Sequence, residues 1–126
     1  MDKPRIAPEL LQRLHDVDSR HWSRVACFLG LYGLTGGLAF WLASTFPGEG
    51  WALAARLHLY LVAAAALHGI SLFTHEGVHG TLCRSPLANR LLAAVCAWPV
   101  LQNFAAYKVL HLRHHNHLGQ EGDPDH

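Results

Sequence analysis

Charged residues are scarce in this chain, and their scarcity excludes several classes of protein. Only 15% of the 126 residues are charged, whereas 51% are hydrophobic, and soluble domains usually carry nearer a quarter charged residues. A formal net charge of +1 offers no basic field for nucleic acid, so no nucleic-acid partner is expected. The composition instead favours a membrane protein.

Cysteine is also rare, which excludes metal and redox sites built on thiolates. The three cysteines, Cys27, Cys83 and Cys96, have neither the spacing of a zinc ribbon nor that of a redox dithiol. We interpret all three as reduced packing residues. Any metal site in this chain therefore needs other ligands.

Two long apolar runs predict transmembrane helices, at residues 25–46 and 51–73. Each is long enough for a bilayer, which needs about 20 residues, and a Pro-Gly turn separates them. Gly33 and Gly37 form a GxxxG face in the first run, a motif typical of close helix packing. The predicted fold class is an all-α integral membrane protein with two transmembrane helices.

The distribution of lysine and arginine predicts its orientation. Five of them lie in residues 1–24, a polar segment whose apolar residues recur at helical spacing and predict an amphipathic helix. The turn between the two runs has none, and four follow the second run, namely Arg84, Arg90, Lys108 and Arg113. By the positive-inside rule, the N-terminal segment and everything after residue 73 are expected on the cytosolic side.

Residues 74–126 predict a cytosolic region with one interfacial helix. Ser85 and Pro86 form a helix-start signal. The apolar run at 91–101 is broken by Pro99 and spans only about half a bilayer, so it is expected to lie at the membrane surface. A last helix is predicted over 102–117.

Histidine, by contrast, is abundant, with 11 residues of which seven follow residue 74. His75 and His79 are four apart and therefore point the same way from a helix. His68 lies on the same stripe, about 10 Å deeper, and is a candidate for lining a substrate channel or supporting the metal ligands.

A second cluster, His111, His114 and His115, gathers on one face of the last helix. Imidazole suits zinc, copper, iron and nickel alike, but five such ligands exceed what one tetrahedral zinc needs. The economical interpretation is a site for two metal ions that binds O₂ and attacks a C–H bond of a lipid-soluble substrate.

Two alternatives compete with this interpretation. Residues 75–79 also spell HExxH, the signature of zinc metalloproteases, in which Glu76 would be the general base. The extended protease motif fails, because Leu82 and Ser85 occupy its glycine and third histidine positions. The other alternative is an inactive, metal-binding membrane fragment.

The motifs HEGVHG at 75–80, HLRHH at 111–115 and DPD at 123–125 resemble the membrane fatty-acid desaturase and hydroxylase superfamily. The resemblance implies a cytosolic site for two non-haem iron ions, held by His75, His79, His111, His114 and His115. Glu76, Asp123 and Asp125 match motif positions and are expected to orient these ligands.

The resemblance also implies the reaction and its partners. Members of the superfamily use O₂ and two electrons to desaturate or hydroxylate fatty-acyl chains, carotenoids, sterols or alkanes. The electrons come from NAD(P)H through a carrier such as cytochrome b5 or ferredoxin. Such enzymes lie in the bacterial cytoplasmic membrane or the endoplasmic reticulum.

One element of the superfamily pattern is missing from the sequence. A third box, [HQ]xxHH, follows two further spans in the family, and this sequence contains none. We expect the chain to be the N-terminal part of a longer protein or a truncated gene product. We also expect these 126 residues alone to have no desaturase activity.

Overall fold

The computed structural model describes residues 7–10 and 21–125, and this described part contains helices but no strand. Its long elements are α1 (His21–Thr45), α2 (Gly50–His79), α3 (Pro86–Ala97) and α4 (Phe104–His117). Most of the predicted amphipathic segment, residues 1–24, lies outside the described residues. The all-helical prediction is confirmed for the described part of the chain.

Helices α1 and α2 pack against each other, and both are long and apolar enough to cross a membrane. Large apolar side chains on them remain exposed, among them Leu34 at 74% and Phe40 at 77%. Such exposure is expected where lipid is the solvent. Helix α2 continues six residues beyond the predicted span, to His79, so the first histidine pair lies at the end of a helix long enough to cross a membrane.

The core lies at the histidine-bearing end of the two long helices, where α3 packs against them. Val25 and Ile70 from the long helices meet Leu92 and Cys96 of α3, and all four are buried. Phe28 and Phe73 pack edge to face beside them, with ring centroids 5.6 Å apart. This packing fixes the end of α2 from which the histidines project.

The connection from α2 to α3 is held by one buried side chain. Asn89, which is 5% exposed, accepts hydrogen bonds from the Leu82 and Cys83 N–H groups at 3.0 and 3.2 Å and donates to the Gly77 carbonyl at 2.8 Å. Helix α2 ends at Gly80, whose φ of 75° is the left-handed conformation that favours glycine. A Ser85 cap then starts α3, in agreement with the Ser-Pro signal.

The predicted packing role of Gly33 and Gly37 is wrong for the described part of the chain. A Cβ added at either glycine would meet nothing within 4 Å. The close approaches occur instead at Gly69, against the Phe28 ring, and at Gly77, against the Ala93 methyl. A glycine motif shows that a helix can approach a neighbour closely, but the rotation of the helix decides whether it does.

Replacing Gly77 with alanine should loosen the packing of α3 against α2. The added Cβ would overlap the Ala93 methyl and lie 3.3 Å from the Ala93 Cα, so the backbone of α3 has to move. Overpacking of this kind costs about 1–3 kcal/mol. Thermal unfolding in detergent measures the loss, and Gly33→Ala, which meets nothing, should be neutral or slightly stabilising. Equal stability of the two variants would contradict the observed helix packing.

Candidate metal centre

Four histidines from two helices converge at one point. His75 and His79 come from the last turns of α2, and His111 and His115 from α4. One ring nitrogen from each histidine can be chosen so that all four lie within 4.8 Å of one another. We call this group the four-histidine cluster. Each pair has i, i+4 spacing, which places its two rings one helical turn apart on one face.

His111 occupies the middle of the four-histidine cluster. Its Nε2 lies 3.1 Å from Nε2 of His79 and 2.9 Å from Nε2 of His115. Its ring also packs against His75, with centroids 4.5 Å apart. No carboxylate belongs to this cluster in the described part of the chain, so all four potential ligand atoms are ring nitrogens.

His114, the fifth predicted ligand, lies outside the four-histidine cluster. Its Nδ1 is 2.8 Å from an Asp123 oxygen and 3.4 Å from an Asp125 oxygen, and these three residues form a second group with the potential to hold a cation. The ring centroids of His114 and His111 are 6.4 Å apart. With Nδ1–H donated to Asp123, Nε2 of His114 is left as its acceptor nitrogen.

The turn after α4 brings the two aspartates back to His114. Gly119 and Gly122 have positive φ values of 68° and 97°, and Arg113 Nε donates to the Gly122 carbonyl at 2.9 Å. Asp123 then accepts from the backbone N–H groups of Gly119 and Asp125, both at 3.0 Å. The Asp-Pro-Asp motif is therefore positioned by the local chain reversal.

The electrostatics of the four-histidine cluster differ from those of the group formed by His114 and its aspartates. Burial and the neighbouring histidines, first among them His75, lower the pKa of His111. The hydrogen bond to Asp123 raises the pKa of His114, and the Asp125 N–H together with His114 holds the pKa of Asp123 well below its usual range. His111 is thus favoured in the neutral form that binds metals, whereas His114 is paired with a carboxylate.

Two other candidate residues lie apart from the four-histidine cluster. The Glu76 carboxylate accepts a hydrogen bond from the Thr81 hydroxyl at 2.6 Å. His68 is exposed on α2, and its carbonyl accepts from Ser71 at 2.7 Å. Neither belongs to a potential metal-binding group in the described residues.

Sequence reasoning missed Tyr107, which packs against His111. The ring centroids are 5.4 Å apart at an angle of 30°. Burial, and then the nearby Asp125, raise the pKa of Tyr107, so its hydroxyl stays protonated near neutral pH. The signal was available, because Tyr107 lies four residues before His111 and therefore on the same helical face.

The spacing of the cluster nitrogens fits a bound metal ion. With metal–nitrogen bonds of roughly 2.1 Å, two ligands at a right angle are about 3.0 Å apart, and two at a tetrahedral angle about 3.4 Å. The two Nε2 separations around His111 are 3.1 and 2.9 Å. His75, His79, His111 and His115 are therefore suited to hold one ion, with His114 available for a neighbouring one.

Removing the carboxylate beside His114 should weaken metal binding without abolishing it. A ligand histidine usually donates its second ring N–H to such a partner, and loss of the partner costs about 10–100-fold in affinity. We expect this loss for Asp123→Ala in a metal-competition titration. Asp125→Ala, which removes the more distant contact, should lose less. If Asp123→Ala bound metal like the unmodified protein, His114 would have no metal-binding role.

Metal binding should weaken sharply as the pH falls. A ligand histidine must be deprotonated, so each protonated histidine costs about tenfold in affinity per pH unit below its pKa. Because the pKa of His111 is lowered, that ligand stays neutral at pH 7 and protonates only below its ordinary range. Titrations at steps between pH 7.5 and 5 should show affinity retained near neutrality and lost in acid. Affinity constant across that range would contradict binding by histidines.

Comparisons with known proteins agree with the geometry. The profile of the family described as Fatty acid desaturase matches residues 49–126, which include α2, α3, α4 and both histidine motifs. No curated protein and no solved structure gave a significant match. The match covers more than half of the chain, including every residue of the four-histidine cluster. The chain belongs to the fatty acid desaturase family.

Proposed function

We propose that the chain supplies histidine ligands of an O₂-dependent, di-iron membrane oxidoreductase that desaturates fatty-acyl or related lipid chains on the cytosolic side of a membrane. The observation that carries the proposal is the four-histidine cluster at the end of a helix long enough to span a bilayer. Family membership supports the same class of enzyme. An electron carrier such as cytochrome b5 or ferredoxin, supplied by NAD(P)H, would be the partner.

The residues of this chain have distinct roles in the proposed reaction. His75, His79, His111 and His115 would hold one iron ion, and His114, oriented by Asp123, would bind the second. Bound iron supplies the activation of O₂ and the removal of hydrogen from an unactivated C–H bond. In desaturation, two adjacent CH₂ groups, O₂, two electrons and two protons yield one double bond and two water molecules.

Lipid access is supported by the surface of α3. Leu87, Leu91 and Val95 are exposed by 59, 60 and 49%, and their spacing of four residues puts them on one stripe. A stripe of this kind on a short helix is typical of residence at a membrane surface. An acyl chain lying along it would approach the histidines from the lipid side.

The zinc-protease alternative receives less support. Such a protease needs Glu76 beside the metal-bound water, but the Glu76 carboxylate is hydrogen-bonded to Thr81. The protease motif also leaves His111 and His115 without a role, although both join the HExxH pair in one cluster. A protease of this kind would lose peptide cleavage in Glu76→Gln and keep it in His111→Ala, whereas we expect no peptide cleavage by the unmodified protein.

The proposal is tested in the organism that encodes the protein. Replacing the His111 codon with an alanine codon at the chromosomal locus should remove a double bond from one lipid class, measured by mass spectrometry of total lipid. His117→Ala is the matched control, because His117 lies outside the four-histidine cluster and its Nδ1 is paired with the Arg113 carbonyl.

The possible lipid profiles separate the alternatives. Loss of a hydroxyl or keto group, rather than of a double bond, would indicate a hydroxylase or ketolase with the same metal ligands. A profile identical to that of the His117→Ala control would contradict the proposal and favour an inactive metal-binding protein.

A further inference from the structure

A cavity of ≈ 370 Å³ lies at the α2–α3 connection and extends to α4. Three basic side chains line it, Arg84, Arg90 and Lys108, together with Gly80 and Pro86 near the helix ends. None of the residues that line it in the described part of the chain is acidic. The cavity therefore concentrates positive charge in a chain whose net charge is only +1.

The cavity is next to the four-histidine cluster but separate from it. Gly80 directly follows His79, and Lys108 precedes His111 by about one helical turn. No histidine lines the cavity. A ligand held there would lie beside the metal ligands without replacing any of them.

The surroundings of the cavity distinguish a lipid ligand from a soluble one. Arg90 follows Leu87 by about one turn and directly precedes Leu91, so a cavity cation borders the exposed apolar stripe of α3. An anionic headgroup whose chains enter the apolar region matches this combination of charge and hydrophobicity. Basic pockets beside membrane helices on the cytosolic side bind phosphate headgroups by the same chemistry.

Phosphate is an anion that these residues suit. Arginine offers a planar fork of N–H donors to phosphate oxygens, and lysine adds a compact charge. The phosphodiester of one headgroup would meet both kinds of cation. The volume lies within the range of pockets that enclose small ligands.

We propose that this cavity binds the phosphodiester headgroup of an anionic membrane phospholipid and directs its acyl chains along the stripe of Leu87, Leu91 and Val95. The inference rests on the proposed function, which puts α3 at the membrane surface. It adds a lipid-binding site beside the metal centre and names the headgroup chemistry that the site recognises.

Native mass spectrometry of the whole chain in detergent tests the proposal. Phosphatidylglycerol is titrated against the unmodified protein, Arg90→Gln, Lys108→Gln and the double variant, and the lipid-bound fraction is measured. Each cation near a lipid surface contributes about fivefold in binding, so the double variant should lose roughly 25-fold. Arg24→Gln, an exposed cation at the start of α1, is the matched control and should bind like the unmodified protein.

Several outcomes would overturn the inference. Equal losses of lipid binding in Arg24→Gln and Arg90→Gln would indicate that general surface charge attracts the lipid. No loss of lipid binding in the double variant would exclude the cavity as the binding site. Equal binding of zwitterionic phosphatidylcholine would exclude recognition of an anionic headgroup. Inorganic pyrophosphate binding more tightly than the lipid would point to a soluble phosphate ligand instead.

Metal titration of the same samples separates this inference from the proposed function. The double variant should bind metal like the unmodified protein, because neither substituted residue belongs to the four-histidine cluster. Normal metal binding with undiminished lipid binding would overturn the headgroup site alone. Failure of the unmodified protein to bind metal would overturn the proposed function.

Discussion

Replacing His111 with alanine should reduce the metal affinity of the protein by more than about 100-fold. His111 is in the middle of the four-histidine cluster, with Nε2 of His79 at 3.1 Å and Nε2 of His115 at 2.9 Å. Its removal deletes a ligand and also the ring that packs against both His75 and His115. Loss of an outer partner alone costs about 10–100-fold, so loss of a central ligand should cost more.

The affinity is measured by competition with a metal-binding dye under anaerobic conditions. His117→Ala is the control on the same helix, because His117 is exposed and its Nδ1 lies 3.0 Å from the Arg113 carbonyl. Far-ultraviolet circular dichroism checks that both variants keep their helices. Retention of full affinity by His111→Ala, or equal losses in both variants, would refute the central position of His111.

Replacing Asn89 with alanine should destabilise the region that holds the first histidine pair. The Asn89 side chain joins two N–H groups of the connection and the Gly77 carbonyl. A buried polar group left without its partner costs about 1–3 kcal/mol, so three such groups together cost about 3 kcal/mol or more. A loss of that size lowers the unfolding temperature of a domain this long by on the order of 10 °C.

Asn103→Ala provides the matched comparison. Asn103 also accepts one backbone hydrogen bond, from the Ala106 N–H at 3.0 Å, but it is an exposed helix cap. Loss of such a cap costs about 1 kcal/mol. Asn89→Ala should therefore have a clearly lower unfolding temperature in detergent than Asn103→Ala. The reverse order would mean that the Asn89 hydrogen bonds do not hold the connection.

Much of the helical arrangement is predictable because apolar length is encoded locally. The uncharged run from residue 25 and the run from residue 51 need no tertiary information to indicate long helices. The Ser85 start signal is equally local, and the structure places the first turn of α3 at Pro86. The cytosolic orientation remains a prediction from the distribution of lysine and arginine.

The histidine site was predictable only in part, for a geometric reason. Spacing of four residues aligns His75 with His79 and His111 with His115, and the structure brings these four together. His114 and His115 are adjacent, so their side chains diverge by about 100° around the helix. The chain reversal after α4 brings Asp123 to His114, and helical periodicity does not encode that contact.

The supporting contacts were not predictable, because they depend on how helices approach each other in space. Gly77 reads in the sequence as one small residue of a histidine motif, yet it is where Ala93 of α3 comes closest. Asn89 reads as one polar residue before an apolar run, yet it makes three buried hydrogen bonds. The rotation of α3 about its axis, which local sequence does not specify, determines both contacts.

The most direct test of the metal centre is the identity and ligation of the metal in the purified protein. The protein is produced in cells supplied with both iron and zinc and purified without oxygen, and its metal content and X-ray absorption spectrum are measured. We expect iron, bound mainly by imidazole nitrogen, with binding lost in His111→Ala. One zinc ion per chain with no iron would contradict a di-iron oxidoreductase.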